Sequence, residues 1–427
     1  MLVRRGFFMD FSFVLPIIVT VVGLYLLIRL RFFFIAHPIR TAREFLSALG
    51  DRDARRAFFL ALAGTLGVGN IFGVSAGLLI GGAGSLFWLF VSSLFAMIIK
   101  YSETLLVFDV GAEQGGTATV LTRVFSRSGR LLAPIYSALT VLLAFFMGAS
   151  MQSAALTDVT EKSLGISPIL TAFILIILLL PCLLGGAKKI ESITEIVIPL
   201  TTIIYISLCF ATIFVNFHRL GDVISDVITS AFNFKSAVGG GVMFLAVREG
   251  FARGILSNEA GVGTSAMAHS RSQGRSPHVA GLFAMCEVVF DSSLLCILTG
   301  FAVLVSVPDI SAFNTPMSLV NAAFCSALGA PVSYLLTLLI LAFAYSTIIC
   351  WYYYGMECSR LYFTKSTWLY PLLFVAAILA SGLIPPVFLL YFTDLLLLLM
   401  SLMTLSAILK KTPRIVELCL SKKKNPE

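Results

Sequence analysis

Residues 61–85 read ALAGTLGVGNIFGVSAGLLIGGAGS, and the reading of this stretch decides the fold. It is apolar enough to cross a bilayer, yet it holds eight glycines between Gly64 and Gly84 and the polar residues Thr65, Asn70 and Ser75. Each glycine weakens a helix by roughly 1 kcal/mol relative to alanine. Gly64, Gly67, Gly69 and Gly73 in such close order therefore predict a membrane helix that breaks. A break inside a bilayer frees backbone N–H and C=O groups, each costing several kcal/mol unless protein, water or a ligand satisfies it. In secondary transporters such freed groups hold cargo and a coupling ion.

The rest of the chain supplies the bilayer setting. It has 427 residues, 58% hydrophobic and only 12% charged, with a mean hydropathy of +0.98. A soluble domain carries about 25% charged residues, so the chain reads as an all-α polytopic membrane protein. The net charge of +8 does not indicate a nucleic-acid partner, because the basic residues are scattered through short loops and a tail. Cys182, Cys209, Cys286, Cys296, Cys325, Cys350, Cys358 and Cys419 lie mostly in apolar runs without paired metal-type spacing, which predicts neither disulfides nor a metal centre.

Apolar runs predict about eleven transmembrane helices. The first, within 11–32, ends on the basic RLR and so reads as a retained span, not a cleaved leader. The others fall near 57–82, 84–109, 131–158, 167–186, 190–216, 236–266, 278–305, 331–360, 367–384 and 386–409, followed by a basic tail over 410–427. With the N-terminus outside, the cytoplasmic loops receive Arg29, Arg31, Arg40, Arg43, Arg52, Arg55, Arg56, Arg123, Arg127, Arg130, Lys188, Lys189, Arg271, Arg275, Arg360 and Lys365. The tail adds Lys410, Lys411, Arg414 and Lys422 to Lys424, while Arg4, Arg5, Lys162, Arg219 and Lys235 stay outside, a bias of roughly four to one. That bias predicts a multi-pass protein of the plasma (inner) membrane with a cytoplasmic C-terminus.

A second break is expected in the seventh crossing, where REGFARGILSNEAGVGTSA comes after a short apolar run. Arg248, Glu249, Arg253 and Glu259 cannot face lipid, since Arg, Lys or Asp costs about 2.5 to 3.5 kcal/mol at a helix centre on insertion scales. The two breaks lie five crossings apart and so run in opposite directions. A five-plus-five inverted repeat, 57–216 and 236–409, after one extra N-terminal helix accounts for this.

Six motifs then carry a resemblance: GLYLLIRLRFF at 23–33, GTLGVGNIFGVSAG at 64–77, FAMIIKYSE at 95–103, REGFARGILSNEAGVGTSAMAHS at 248–270, FDSSLLCILT at 290–299 and FAYSTIICWYYYGMEC at 343–358. Together, in order over nearly the whole chain, they resemble the sodium:alanine symporter family. The resemblance implies a leucine-transporter-type fold and Na⁺-coupled symport of a small neutral amino acid, alanine or glycine, with no cofactor beyond the cotransported ion. The chain departs from the family at Val68, where a Thr is usual, at Ala83 in place of Pro, and in the loop Gly115 to Val120. Losing the Thr hydroxyl at Val68 removes one hydrogen bond available to cargo.

The candidate site residues each have two readings. Gly67, Gly69 and Asn70 present unwound backbone and an amide to cargo and cation, or Gly69, Gly73 and Gly77 form a small-residue face for a neighbouring helix. Gln152 touches substrate, as the resemblance implies, or makes an interhelical hydrogen bond. Ser257, Asn258 and Glu259 come after the second break and contact cargo or a gate, or cap the interrupted helix. Thr347 and Trp351 are four apart on one helix face. The resemblance places both in the amino-acid pocket, with Ser346 as a Na⁺ ligand, against bonding to their own helix. Asp291, one turn after Glu287, is a cation ligand or proton carrier, or pairs with Arg248 or Arg253. Lys100 and Glu103 read as a local ion pair.

Two rival classes are weaker. Gly73-Val74-Ser75-Ala76-Gly77 spells GxSxG, the nucleophile string of an intramembrane hydrolase. A serine nucleophile needs an oriented base, and His37, His218, His269 and His278 all fall at loops or helix ends. A channel has less use for paired broken helices than alternating access does. The sequence leaves coupling by Na⁺ or H⁺, the choice of amino acid and the oligomeric state open.

Overall fold

The structure is a computed structural model describing residues 14–112, 115–232, 237–272, 276–360, 368–384 and 386–421. Of the charges used for orientation, Arg4, Arg5, Lys235, Arg275, Lys365 and Lys422 to Lys424 lie outside the described residues. The described chain is helical, with no strand among the described residues. In chain order the main helices are α1 Val14–Arg29, α2 Pro38–Ala48, α3 Arg52–Thr65, α4 Val74–Gly81, α5 Gly84–Asp109, α6 Gly116–Phe125, α7 Gly129–Leu164 and α8 Pro168–Val215. They continue as α9 Leu220–Ala231, α10 Ala237–Asn258, α11 Ser265–His269, α12 Pro277–Ser306, α13 Pro316–Leu328, α14 Val332–Ser359, α15 Leu369–Leu379 and α16 Pro386–Ser421.

Six helices among the described residues are long and apolar enough to cross a membrane, or seven when α3 and α4 count as one bent span. The two runs expected at 167–186 and 190–216 are both in α8, joined at Gly186, whose φ of 61° and ψ of −159° break the helix there. Shorter helices lie outside the expected spans, α2, α6, α9 and α13 among them. In α2, Pro38 opens the helix, Phe45 is buried and the Arg40–Glu44 pair faces outward. As far as Ser421 the basic tail continues α16, where Arg414 pairs with Asp109 of α5 at 2.9 Å and Ile415 is buried.

The first break is present where the glycines predict it. The chain leaves α3 at Leu66, passes Gly67 and Val68, enters a π-helical turn over Gly69–Gly73 and continues as α4, with a bend of 50° between the halves. The second lies between α10 and α11, where Glu259, Gly261 and Gly263 have φ of 54°, 91° and 85°. Left-handed backbone of that kind suits glycine and strains Glu259. This break is later than expected: Ser257 and Asn258 end α10 and precede it. The polar run masks where Gly261 and Gly263 turn the chain.

Small residues set how closely the broken helices pack. A methyl at Gly81 would stand 3.0 Å from Leu245 O and 3.1 Å from Glu249 Cβ, and one at Gly77 would stand 3.3 Å from Arg253 Cγ. Gly69 and Gly73 face open space instead. The close-packing face is therefore Gly77 and Gly81 against α10, not Gly69 and Gly73. Beside this contact, Gly250 and Gly254 of α10 lie against Ser85, Leu89 and Ser92 of α5, a small-xxx-small contact.

Candidate functional site

Two polar clusters meet at the first break. In one, the Val68 N–H donates to Gln152 Oε1 at 3.4 Å, and Thr347 Oγ1 lies 3.3 Å from Leu66 O. A methyl placed on Gly67 would stand 2.9 Å from Thr347 Oγ1 and 3.2 Å from Gln152 Oε1. Gln152 comes directly after a π-helical segment of α7, Ala144–Met151, and Thr347 comes from α14. A π-turn inserts a residue into the helix and re-aims the side chains of the next turn, a recurrent feature of functional sites. Three elements thus bring Gly67, Gln152 and Thr347 together.

The second cluster surrounds Asp291, in another π-helical segment, Val289–Cys296 of α12. Asn70 Nδ2 donates to Asp291 Oδ1 at 2.5 Å, Ser257 Oγ to Oδ2 at 2.9 Å and Ser292 Oγ to Oδ2 at 2.6 Å. Cys296 Sγ stands 3.5 Å from Ser257 Oγ. Asp291 is fully buried, and its hydrogen-bond partners here are neutral side chains. A buried carboxylate costs several kcal/mol unless paired or protonated, so this arrangement suits a cation or a proton. Asn70 joins the clusters, because its Oδ1 also accepts from the Gly67 N–H at 3.2 Å.

The other expected residues are more dispersed in role. Trp351 is fully buried on α14, and Gly148 of α7 makes room for it, since any Cβ there would overlap the indole. Its Nε1 has no hydrogen-bond partner. Ser346 Oγ donates to Ala342 O and Phe343 O, both at 2.9 Å within its own helix. Asn258 Nδ2 donates to Ser292 Oγ at 3.1 Å while its Oδ1 accepts from Ala260 N at 3.0 Å, which caps the end of α10. Gly69 borders open space and does not touch Gln152 or Thr347 through a Cβ position. Reasoning from sequence misses Leu66 O, Ser292 and Cys296. The last two stand beside Asp291 in FDSSLLC, which is the one signal of their role.

Three pairings differ from expectation. Lys100 bonds Glu287 Oε1 at 2.5 Å, not Glu103, because the fold lays α5 along α12. Arg248 and Arg253 both pair with Glu249, at 2.5 and 2.9 Å, and not with Asp291. Ser75 Oγ donates to Ile71 O at 2.9 Å, the bond of a helix-satisfied hydroxyl, not of an activated nucleophile. None of the eight cysteines is in a disulfide.

A cavity of about 730 Å³ opens beside α11, lined among others by Gly116, Ala118, Met267, Ser270 and Tyr353. Thr117, between the lining residues Gly116 and Ala118, is buried behind this wall and its Oγ1 donates to Gly263 O of the second break at 2.8 Å.

The geometry agrees with what the chain is similar to. The crystal structure of MhsT in complex with L-phenylalanine superposes with a TM-score of 0.59 at 15% identity, covering 83% of this chain and 88% of that one. This carries the fold, the leucine-transporter type. The sodium/alanine symporter AgcS of Methanococcus maripaludis is 31% identical over 76% of this chain and 74% of its own. The probable sodium/glutamine symporter GlnT of Bacillus subtilis is 29% identical over 78% of this chain and 71% of its own. Residues 5–422 match the sequence model of the sodium:alanine symporter family. The chain therefore belongs to the sodium:alanine symporter family and is a multi-pass membrane transporter of amino acids, not an enzyme.

Proposed function

We propose that this transporter couples inward movement of a small neutral amino acid, alanine or glycine, to Na⁺. The observation that carries the reading is the meeting of the two clusters at the first break. Val68 N–H, Gln152 and Thr347 face the Gly67 position, which the Asn70 side chain joins to a carboxylate ringed by neutral donors. Cargo carboxylate and Na⁺ bound side by side would offset each other's charge, and neither is stable alone in so dry a place. Gly67, Gly69, Asn70, Gln152, Ser257, Asn258, Thr347 and Trp351 hold the amino acid in this reading. Asp291 and Ser346 serve the ion, with Leu66 O and Thr347 Oγ1 as further oxygens near the break.

The chain crosses eleven times in this reading, with the N-terminus outside and the second half repeating the first in inverted topology. Rocking of one set of helices against the other carries the pair inward, and the cavity beside α11 is the cytoplasmic exit. One Na⁺ per cycle is enough to drive accumulation. A potential of roughly 100 mV supplies about 2.3 kcal/mol per charge, and a tenfold gradient adds about 1.4 kcal/mol. Their sum supports roughly 500-fold accumulation.

Purified protein in liposomes tests this. Labelled alanine or glycine should enter only under an inward Na⁺ gradient and should be displaced by the unlabelled compound better than by glutamine. Equal uptake without Na⁺ excludes sodium coupling, and dependence on a proton gradient instead would move the coupling ion to H⁺ at Asp291.

A further inference from the structure

A group of ionisable side chains is buried around the second break and takes no part in the site above: Lys100 and Glu103 on α5, Glu259 in the break, His269 on α11 and Glu287 on α12. Lys100 and Glu287 satisfy each other at 2.5 Å, and His269 Nε2 stands 3.2 Å from the second Glu287 oxygen. Glu259 Oε2 accepts from Thr264 Oγ1 at 3.0 Å, which leaves Oε1 without a partner. Glu103 is the extreme case. It is only 3% exposed. The Gly261 and Gly263 backbone lies against it, yet neither carboxyl oxygen has a partner in hydrogen-bond geometry.

The other elements packed around it bring neutral groups. Tyr136 of α7 donates to Val262 O at 2.9 Å, Thr117 of α6 to Gly263 O at 2.8 Å and Thr404 of α16 to Val262 O at 3.2 Å. Ser401 of α16 adjoins Gly261, while Tyr354 and Cys350 of α14 face the side of Glu259 and Glu287. Asp291 acts on Glu259 from further along α12. The ammonium of the group is already held by Glu287. An ionised Glu103 would then be a buried anion on which the Lys100 ammonium and the Gly261 and Gly263 backbone act without an aligned hydrogen bond, at a cost of several kcal/mol. A neutral carboxylic acid avoids that cost.

We propose that Glu103 is a proton-binding site, loaded in this conformation and able to exchange its proton with the cavity beside α11 when the second break opens. The route is short. Gly116 and Ala118 line the cavity, and Thr117 between them holds Gly263, which lies against Glu103. When that contact parts and water enters, the carboxyl O–H bond breaks, the proton leaves on water and the carboxylate remains hydrated. Closing reverses the step, so Glu103 senses the pH of the side on which the cavity opens. The identification of that side with the cytoplasm rests on the transport reading above.

The test has two readouts. In infrared spectra of purified protein at neutral pH, wild type minus Glu103→Gln should show the C=O band of a protonated carboxyl. In liposomes with the cavity side facing the lumen, Na⁺-driven alanine uptake by wild type should change with lumen pH at fixed outside pH. Glu103→Gln should lose that dependence and Glu103→Asp should keep it. A missing infrared band, or the same lumen-pH profile in Glu103→Gln as in wild type, overturns the proposal and leaves the transport reading intact. If wild type carries no alanine, the transport reading fails and the infrared band alone decides for Glu103. Should Glu103→Gln not fold, wild type against Glu103→Asp gives the same decision, by a shift of the band.

Discussion

Asn70 Nδ2 lies 2.5 Å from Asp291 Oδ1, across 221 residues of sequence. Ser257, the next-to-last residue of α10, donates to the same carboxylate. One side chain of α12 thus ties down both broken crossings from within its own π-helical segment. An ion bound at Asp291 would therefore act directly on Asn70, and through it on the Gly67 N–H that borders the cargo position. Such a link lets an ion's presence be felt where the amino acid binds, with no longer path required.

Asp291→Asn removes the charge and keeps the shape. Hydrogen bonds to charged groups contribute about 1.5–3 kcal/mol, so the Na⁺ concentration for half-maximal uptake should rise by roughly 10- to 150-fold. Initial rates of labelled alanine uptake against Na⁺ measure this. Half-saturation unchanged in the variant would take Asp291 out of the coupling site. Ser257→Ala removes one of the neutral donors and should shift the same curve by a smaller factor.

Gly67→Ala and Gly73→Ala separate a cargo position from a merely flexible one. A methyl at Gly67 enters the gap between Thr347 Oγ1 and Gln152 Oε1, 2.9 and 3.2 Å away, whereas Gly73 has nothing within 4 Å. The first variant should fold and lose most alanine uptake. The second should keep its thermal stability or gain about 0.4–1 kcal/mol from a less flexible unfolded chain. Thermal unfolding in detergent beside uptake gives both answers. Equal uptake by Gly67→Ala and wild type would show that cargo binds elsewhere.

Lys100→Met probes the buried ion pair. Removing one partner of such a pair costs about 3–5 kcal/mol, because the other charge is left buried. The variant should unfold at markedly lower temperature, and adding Glu287→Gln should recover a good part of the loss. If the double variant is less stable than Lys100→Met alone, the pair is not what holds α5 to α12.

How much of this is legible in the sequence depends on the range of each signal. The first break can be placed within its glycines because helix weakening is local: Leu66 to Val68 falls inside the stretch that Gly64 to Gly73 marks. The second lies later than its sequence suggests, since SNEAG draws attention by its polar residues, and the positive φ of Gly261 and Gly263 is a backbone fact that composition does not record. The partner of Lys100 escapes a local reading because Glu103 is three residues away and Glu287 is 187. The π-helical segments before Gln152 and around Asp291 are invisible as well. An extra residue in one turn is imposed by packing, not by the propensity of the residues that form it. Which glycines pack and which line open space likewise depends on the neighbour: Gly77 and Gly81 meet α10, while Gly69 and Gly73 meet nothing.

Trp351 gives the sharpest test of the cargo position. Its indole is fully buried against Gly148 and Tyr354, and its Nε1 has no partner. A buried indole N–H usually finds an acceptor, and leaving one unpaired costs about 1–3 kcal/mol. In a transporter, an acceptor that comes and goes is cargo. Trp351→Phe keeps most of the apolar wall and removes the donor, so if the N–H meets the amino-acid carboxylate, affinity should fall by roughly 5-fold or more for about 1 kcal/mol lost. The maximal rate should change less than the half-saturation concentration for alanine, because the wall that shapes the pocket remains. Binding of alanine measured by calorimetry on purified protein, with and without Na⁺, separates this from a folding defect. A half-saturation concentration equal to that of wild type would mean that the N–H is orphaned for a structural reason and that Trp351 is a wall only.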